Sequence, residues 1–302
     1  MKYGLSMPQL EDFADVRRLA SLAQEAEDVG WDGFFIWDHM LFDNLDRRVV
    51  DPWVAMAAIA MKTSRIRIGP MVTPLARRRP WKLAREALSI DQLSNGRLIL
   101  GVGLGAPEEW EFAAFGEETE AKLRARKMDE GLEIFTGLLS GELFSFNGEF
   151  YNLVEMRFLP KPVQSPHIPI WVGGTWPNKK PLHRSVKYDG YFPDVLQHPF
   201  TADDWKVVRE FVESQRGKDS AFDLVQYGTT PGDDPAAAAA QLAPYKAVGV
   251  TWWIEGISPF DYGFDWPDPW TCLLYTSPSP RDLRQDLVCR LLLEKGGGGG
   301  GG

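Results

Sequence analysis

Short apolar runs alternate with amphipathic stretches along the chain. Residues 33–37 form one continuous apolar run, which is typical of a strand buried on both faces of a parallel sheet. Residues 13–29 carry apolar side chains three and four positions apart, which predicts an amphipathic helix. These patterns recur and predict strands at 3–8, 33–37, 66–69, 97–102, 168–174, 189–194, 222–228 and 250–256, with helices near 13–29, 51–62, 80–93, 119–140, 201–215 and 234–247.

Eight strands alternating with helices predict an α/β fold. Right-handed βαβ units repeated this often close on themselves, so we expect one (β/α)₈ TIM barrel over residues 1–270. Residues 141–165 interrupt the alternation after the fourth strand and helix, and Asn147-Gly148 predicts a hairpin turn there. We therefore expect an insertion region after the fourth β/α unit.

The carboxyl-terminal segment differs in character from the rest of the chain. Residues 271–302 contain the adapter-like string LLYTSPSPRD and end in seven glycines. Polyglycine has high backbone entropy and adds nothing to a core. We expect this segment to be a non-native tail that replaces the last barrel helix, with a disordered natural tail as the alternative.

Charge and composition narrow the classes of function. A net charge of -9 disfavours nucleic acid and anionic membranes as partners. The chain carries no signal-peptide pattern and no membrane-span pattern, so we expect a cytoplasmic protein. We also expect no metal, because the cysteines lie in the tail and the four histidines lack a ligand spacing: Cys272, Cys289, His39, His167, His183 and His198.

The active site of such a barrel lies at the carboxyl ends of its strands. Asp38 and His39 follow the second strand directly. A histidine can serve as acid or base near neutral pH, and the aspartate could orient a neighbour or bond a cofactor ring. A histidine that only caps local backbone is the alternative interpretation.

Glycines follow the fourth and fifth strands. The segment GVGLGA, which contains Gly103 and Gly105, lacks the spacing of the dinucleotide fingerprint, so a Rossmann fold is rejected. These glycines permit close approach of a flat ligand, or simply a tight turn. Gly173, Gly174 and Thr175 offer backbone N–H groups and a hydroxyl at a strand-to-helix turn, which favours phosphate binding.

Two further features have mainly structural interpretations. The basic run at residues 77–79 precedes a helix, where it could contact phosphate, although a solvated basic turn is favoured. Large aromatic residues mostly fill cores. Some of those at strands or strand ends could instead wall a pocket for an aromatic ligand: Trp37, Trp171, Trp176, Trp252 and Trp253.

Three stretches together resemble the luciferase-like flavin-dependent monooxygenases. They are AEDVGWDGFFIWDHM, TSRIRIGPMVTPLARRRPWKLAREALSIDQLSNGRLILGVGLG and FLPKPVQSPHIPIWVGG. The resemblance covers residues 1 to about 266 and implies a luciferase-like barrel with a flavin across its strand ends. It also implies a non-prolyl cis peptide at Met71-Val72, in a bulged third strand.

The resemblance assigns roles to several positions. Asp38 and His39 match the pair beside the flavin ring and are the catalytic candidates. The positions that match cofactor-binding residues are Met71, Val72, Thr73, Gly103, Leu104, Gly105, Gly173, Gly174 and Thr175. Position at or near a strand end, and not the resemblance, makes three further residues candidates for substrate contact: Trp176, Asp194 and Glu255.

The function that the resemblance implies is monooxygenation of a small organic substrate by reduced FMN and molecular oxygen. Partners would include a separate flavin reductase, and the protein could form a homodimer. One alternative is hydride transfer with a 5-deazaflavin coenzyme, and another is a non-catalytic flavin-binding protein. Some deazaflavin-dependent relatives place a glutamate after the glycine loop, where this chain has Ala106-Pro107, so a sugar-phosphate dehydrogenase is disfavoured.

Overall fold

Parallel strands surrounded by helices form the fold. The computed structural model describes residues 1–43, 46–194, 200–232, 234–258 and 261. The strands in this part of the chain are β1 (Lys2–Met7), β2 (Gly33–Ile36), β3 (Arg67–Pro70), β4 (Thr73–Pro74), β5 (Leu100–Gly103), β6 (Leu143–Asn147), β7 (Asn152–Arg157), β8 (Ile170–Thr175), β9 (Gly190–Asp194), β10 (Asp223–Gly228) and β11 (Trp252–Gly256).

Nine of these strands form one parallel sheet in the order β3-β2-β1-β11-β10-β9-β8-β5-β4. β3 and β4 are two halves of one strand position, interrupted at Met71 and Val72, so the barrel has eight positions. The two ends of the sheet meet through a parallel bridge between Ile68 and Leu98. There the N–H of Ile99 donates to the carbonyl of Ile68 at 2.8 Å. The predicted TIM-barrel fold is confirmed.

The helices lie outside the strands, and side-chain caps or an early proline mark most of their starts. They are α1 (Val16–Asp28), α2 (Pro52–Lys62), α3 (Pro80–Leu93), α4 (Glu108–Glu111), α5 (Ala121–Leu139), α6 (Lys179–Ser185), α7 (Ala202–Arg216) and α8 (Pro235–Ala247). Asp15, Asp51 and Thr201 accept backbone N–H groups in the first turns of α1, α2 and α7, which satisfies otherwise free donors. The short α4 and α6 were not predicted, because four to seven residues carry little periodicity.

Aromatic side chains fill the barrel interior. The rings of Phe35 and Trp171 lie 5.3 Å apart, and Trp171 lies 5.3 Å from Trp252. Strand glycines make room for these rings, since a Cβ at Gly33 would lie 2.6 Å from the Phe35 ring. Trp171 and Trp252 are therefore core residues and do not wall a ligand pocket.

The outward faces of the strands pack against the helices. One large cluster joins α1, α2, α3 and α5 to the first half of the barrel, with Phe34, Leu88 and Phe135 fully buried. A second cluster packs α7 against β9 and β10 around Trp205, whose indole N–H donates to Gln226 at 2.6 Å. Each large buried side chain stabilises the fold by roughly 1.5–3 kcal/mol, so these two layers hold the strand ends in place.

The insertion and the tail complete the comparison with the prediction. β6 and β7 pair antiparallel, with Asn147 opposite Asn152, so the predicted hairpin is present in the insertion. Among the described residues, no helix is both long and apolar enough to cross a membrane. The expected tail at 271–302 and the missing last helix lie outside the described residues.

Candidate active site at the barrel mouth

The carboxyl ends of the strands form the mouth of the barrel. Side chains alternate along a strand, so residues two positions after an inward-pointing residue also point inward. Phe35, Trp171 and Val225 lie in the interior cluster, which fixes the facing of their strands. The inward positions at the mouth are thus Ser6, Trp37, Gly103, Gly173, Thr175, Phe192, Asp194, Tyr227 and Gly256.

His39 stands beside this mouth among aromatic rings. Its ring lies 4.8 Å from that of Phe42 and 5.6 Å from that of Trp37. The side-chain amide of Gln9 donates to the carbonyl of His39 at 2.9 Å, which ties the loop after β2 to the loop after β1. The imidazole is 17% exposed and its Nδ1 lies 3.3 Å from Oε1 of Glu111. His39 is therefore accessible at the mouth and held beside a carboxylate.

Glu111, at the end of α4, clamps the loop that carries His39. Its Oε1 accepts the backbone N–H groups of Met40, Leu41 and Phe42 at 3.1, 3.1 and 2.7 Å. Phe42 takes a φ of 73°, a region that favours glycine, so the clamp holds the loop in a conformation that it would not adopt alone. Arg77 donates to Oε2 of the same carboxylate.

The charge state of Glu111 follows from these contacts. Burial by itself raises the pKa of the carboxyl, but the hydrogen bond and charge of His39, the charge of Arg77 and the N–H of Phe42 outweigh it. Together they lower the pKa of Glu111 to about 2 from an ordinary value of 4.5. The clamp therefore remains ionised at neutral pH.

Asp38 is buried behind His39 and belongs to an ion cluster. Its carboxylate accepts from the Thr73 hydroxyl at 2.8 Å, from Arg77 at 2.9 Å and from Arg78 at 2.7 Å. The side chains of Asp38 and Arg77 are 0% and 3% exposed. The interpretation of residues 77–79 as a solvated turn is wrong for Arg77 and Arg78, because the carboxylates of Asp38 and Glu111 draw Arg77 inward and Asp38 binds Arg78. Asp38 thus orients the two arginines, and Thr73 donates its hydroxyl hydrogen bond to the same carboxylate.

Val72 separates two glycines at the mouth. The Met71-Val72 peptide is cis, as the resemblance implies, while Met71 itself lies in the interior cluster. A Cβ at Gly103 would lie 2.6 Å from Cγ2 of Val72, and one at Gly173 would lie 3.2 Å from Cγ1. The two glycines thus admit Val72 and leave a surface poor in side chains.

The loop after β5 is tied down from below. The guanidinium of Arg124, which is buried, donates to the carbonyls of Leu104 and Gly105 at 3.0 Å each. Gly105 takes a φ of 80°, which favours glycine. The loop predicted to line the cofactor is therefore held at the rim by α5.

The predicted phosphate turn after β8 is only partly open to the mouth. Gly173 and Thr175 point inward, whereas a Cβ at Gly174 would lie 2.1 Å from Pro181. Gly174 therefore allows close packing of α6. Trp176 packs against the cluster around Trp205, with its ring 5.2 Å from that of Phe200.

The two carboxylates proposed for substrate contact occupy different places. Asp194 is half-buried at an inward position of β9. Glu255 shares the outward face of β11 with Trp253, accepts the N–H of Thr230 at 2.6 Å and accepts the Trp253 indole at 2.9 Å. Burial raises the pKa of Glu255 to about 7. The structure does not bring Glu255 together with His39.

A cavity of about 500 Å³ opens beside His39. Its walls come from the loop after β2, the starts of α2 and α3, and the segment after α4. The lining residues include His39, Val49, Val50, Asp51, Arg77, Arg78, Arg79, Lys82, Leu83, Glu86 and Phe115. The described residues contain no cluster of three or more side chains suited to a metal ion.

The family match covers almost the whole described chain. The model of the luciferase-like monooxygenases matches residues 3–271. The chain belongs to this luciferase-like monooxygenase family. An uncharacterised protein of Mycobacterium tuberculosis is 30% identical over 264 residues, which cover 80% of this chain and 89% of that protein.

Three further proteins are similar to this chain in sequence or in fold, and two of them have a cofactor in their names. F420-dependent glucose-6-phosphate dehydrogenase of Amycolatopsis mediterranei is 35% identical over 162 residues, which cover 52% of this chain and 48% of that enzyme. A monooxygenase from Streptomyces bottropensis superposes with a TM-score of 0.72 at 18% identity, covering 94% and 97% of the two chains. The oxygenating constituent of 3,6-diketocamphane monooxygenase from Pseudomonas putida, in complex with FMN, has a TM-score of 0.62 at 18% identity, covering 94% and 86%. The superpositions on these last two structures show that the chain shares their fold.

Sequence reasoning missed Glu111 in this luciferase-like site. Its neighbours in α4, Glu108 and Glu109, are both exposed. The clamp joins positions about 70 residues apart, a separation at which no local pattern signals contact. The roles of Arg77 and Arg78 could have been inferred from the sequence, because both lie a few residues after β4 and Asp38 lies two residues after β2, its neighbour in the barrel.

Proposed function

We propose that this chain is a flavin-dependent monooxygenase that uses reduced FMN and molecular oxygen to oxidise a small organic substrate. The observation that carries the proposal is the position of His39, an accessible histidine held by Glu111 beside a barrel mouth floored by glycines. The family match supports the same class of chemistry.

The residues at the mouth fit a flat cofactor. The surface formed by Val72 between Gly103 and Gly173 offers apolar contact with few side chains, as close approach of a planar ring requires. Leu104 and Gly105 would border that ring. The inward-facing backbone and hydroxyl at Gly173 and Thr175 would hold the phosphate, with Gly174 setting the distance to α6.

His39 would hold or deliver a proton at the reacting centre. Its Nδ1 lies 3.3 Å from the carboxylate of Glu111, so Nε2 is the ring nitrogen left for the substrate. When bound, reduced FMN would supply the electrons that activate oxygen. Trp37, Phe42 and Phe192 would keep water from the reacting atoms.

Hydride transfer with a 5-deazaflavin coenzyme is the second candidate. It is favoured by the 35% identity to an F420-dependent dehydrogenase. In that reaction His39 would protonate or deprotonate an oxygen atom of the substrate, and no molecular oxygen would be consumed. Asp194, inward and half-buried at the mouth, could contact the substrate in either reaction.

Oxygen consumption distinguishes the candidates. The protein is mixed with reduced FMN in air-saturated buffer, and flavin reoxidation and oxygen uptake are followed for the wild type and for His39→Ala. The monooxygenase proposal predicts reoxidation kinetics that differ from those of free flavin and that change in His39→Ala. Binding without any change in kinetics would indicate a non-catalytic flavin-binding protein. Turnover that occurs with the reduced deazaflavin coenzyme and does not occur with reduced FMN would support hydride transfer.

A further inference from the structure

The cavity beside His39 has an excess of positive charge on its walls. Four basic side chains line it, Arg77, Arg78, Arg79 and Lys82, against two carboxylates, Asp51 and Glu86. Both carboxylates are already engaged, because Asp51 accepts the N–H of Val54 as the cap of α2 and Glu86 pairs with Lys82 and Arg78. A cavity with this balance favours an anion.

Several basic groups in the cavity retain donor capacity. Within the described chain, Arg79 forms no ion pair with a carboxylate; it lies over the ring of Trp81, 5.9 Å from the centroid. The terminal nitrogens of Arg77 and Arg78 already pair with the carboxylates of Asp38, Glu111 and Glu86. Both keep a buried Nε without a partner in the part of the chain that the structure describes. A buried donor without an acceptor is costly, and an anionic ligand would supply one.

The remaining walls of the cavity are apolar. Val49, Val50, Pro52, Leu83 and Phe115 line it. Its volume of about 500 Å³ lies within the usual range of about 300–1,000 Å³ for small-molecule sites. An organic anion with an apolar body matches this combination of walls.

The cavity is separate from the expected phosphate turn. The phosphate turn follows β8, whereas the cavity lies at the ends of β2 and β4, and β2 lies three strand positions from β8 in the barrel. His39 is among the residues that line the cavity. A molecule held by Arg79 would therefore lie next to the proposed proton donor without displacing the cofactor phosphate.

We propose that this cavity binds the carboxylate, sulfonate or phosphate group of an organic substrate and places its apolar part beside His39. This inference rests on the proposed function, because it identifies the substrate class of the same site. Arg79 recognises the anion, Lys82 adds positive charge beside its ion pair with Glu86, and the valines and Leu83 contact the hydrocarbon portion.

Calorimetric titration of the full chain with matched probes tests the inference. The probes are linear carboxylates of four to ten carbons, the corresponding sulfonates and phosphate esters, and the neutral amides. We expect at least one anionic series to bind about tenfold more tightly than its amides. We also expect Arg79→Ala to weaken that binding about tenfold and Lys82→Ala to weaken it less. Lys218→Ala, at an exposed lysine after the end of α7, should leave it unchanged.

A parallel titration with FMN and riboflavin separates the outcomes. Unchanged FMN affinity in Arg79→Ala, with lost anion affinity, supports a substrate site. Weaker FMN with unchanged riboflavin would overturn the inference, since the cavity would then hold the cofactor phosphate. Flavin binding without binding of any anionic probe would overturn it and leave the proposed function standing. Anion binding that depends on Arg79, without flavin binding, would leave the anion site standing and remove the proposed function.

Discussion

The substitution Glu111→Gln should loosen the loop that carries His39 and destabilise the fold. It keeps the shape of the side chain but removes the charge that the Arg77 guanidinium and three backbone N–H groups bind. If the amide oxygen continues to accept the backbone groups, the amide N–H₂ faces Arg77, and two donors then oppose each other in a buried site.

The size of the effect follows from the pKa of the carboxyl. A folded-state pKa of about 2 against an ordinary 4.5 corresponds to about 3 kcal/mol of stability carried by the ionised form. Because the folded value is the lower one, this stability is fully present above about pH 5 and is lost as the pH falls towards 2. Glu111→Gln should therefore unfold about 2–4 kcal/mol more easily at pH 7.

Urea unfolding followed by tryptophan fluorescence measures this difference. The gap between wild type and Glu111→Gln should shrink by about 1 kcal/mol between pH 7 and pH 4. Glu109→Gln, an exposed carboxylate on the same short helix, is the matched control and should change stability by less than about 0.5 kcal/mol. A Glu111→Gln protein as stable as the wild type, or a gap independent of pH, would refute the clamp.

Three further substitutions test other parts of the structure. Gly69→Ala should prevent soluble expression, because its Cβ would lie 1.9 Å from the carbonyl oxygen of Ile99. Gly131→Ala should fold, because its Cβ would meet side chains alone, Leu75 at 3.2 Å and Pro80 at 3.6 Å. Equal yields of the two variants would contradict this packing. Asp38→Asn should cost about 3–5 kcal/mol in urea unfolding, since it breaks a buried ion cluster; a loss below 1 kcal/mol would contradict it. The raised pKa of Glu255, about 7 against an ordinary 4.5, means that its stability contribution is present below pH 4.5 and lost as the pH rises through 7. Wild-type stability should thus fall by up to about 3 kcal/mol more than that of Glu255→Gln between pH 5 and pH 8, and parallel pH profiles would refute the shift.

Much of the barrel could be predicted from local patterns. Each strand is a short apolar run and each long helix has one apolar face. Both patterns can therefore be recognised from residues close together in the sequence. The third strand is an exception, because residues 66–69 read as one run but continue as β4 after the Met71-Val72 interruption. Trp171 and Trp252 could not be assigned to core or pocket from the sequence, since the inward face of a strand is fixed only when the barrel closes.

The candidate site was predictable where it depends on position along one strand. His39 follows β2 and stands beside the mouth, where it also lines a cavity, as its position after a strand suggests. Contacts between segments distant in sequence were harder to predict. Glu111, for example, lies in α4 and binds the loop at residues 40–42. Glu255 follows an apolar run just as His39 does, yet alternation turns it to the outer face. One residue of register decides between these outcomes.

The most direct test of the central claim is an anaerobic titration of the full chain with reduced FMN and with reduced 5-deazaflavin coenzyme, followed by absorbance and fluorescence. The proposed monooxygenase predicts micromolar or tighter binding of reduced FMN, with preference over the deazaflavin. A folded protein that binds neither cofactor would contradict the assignment as a flavin-dependent enzyme.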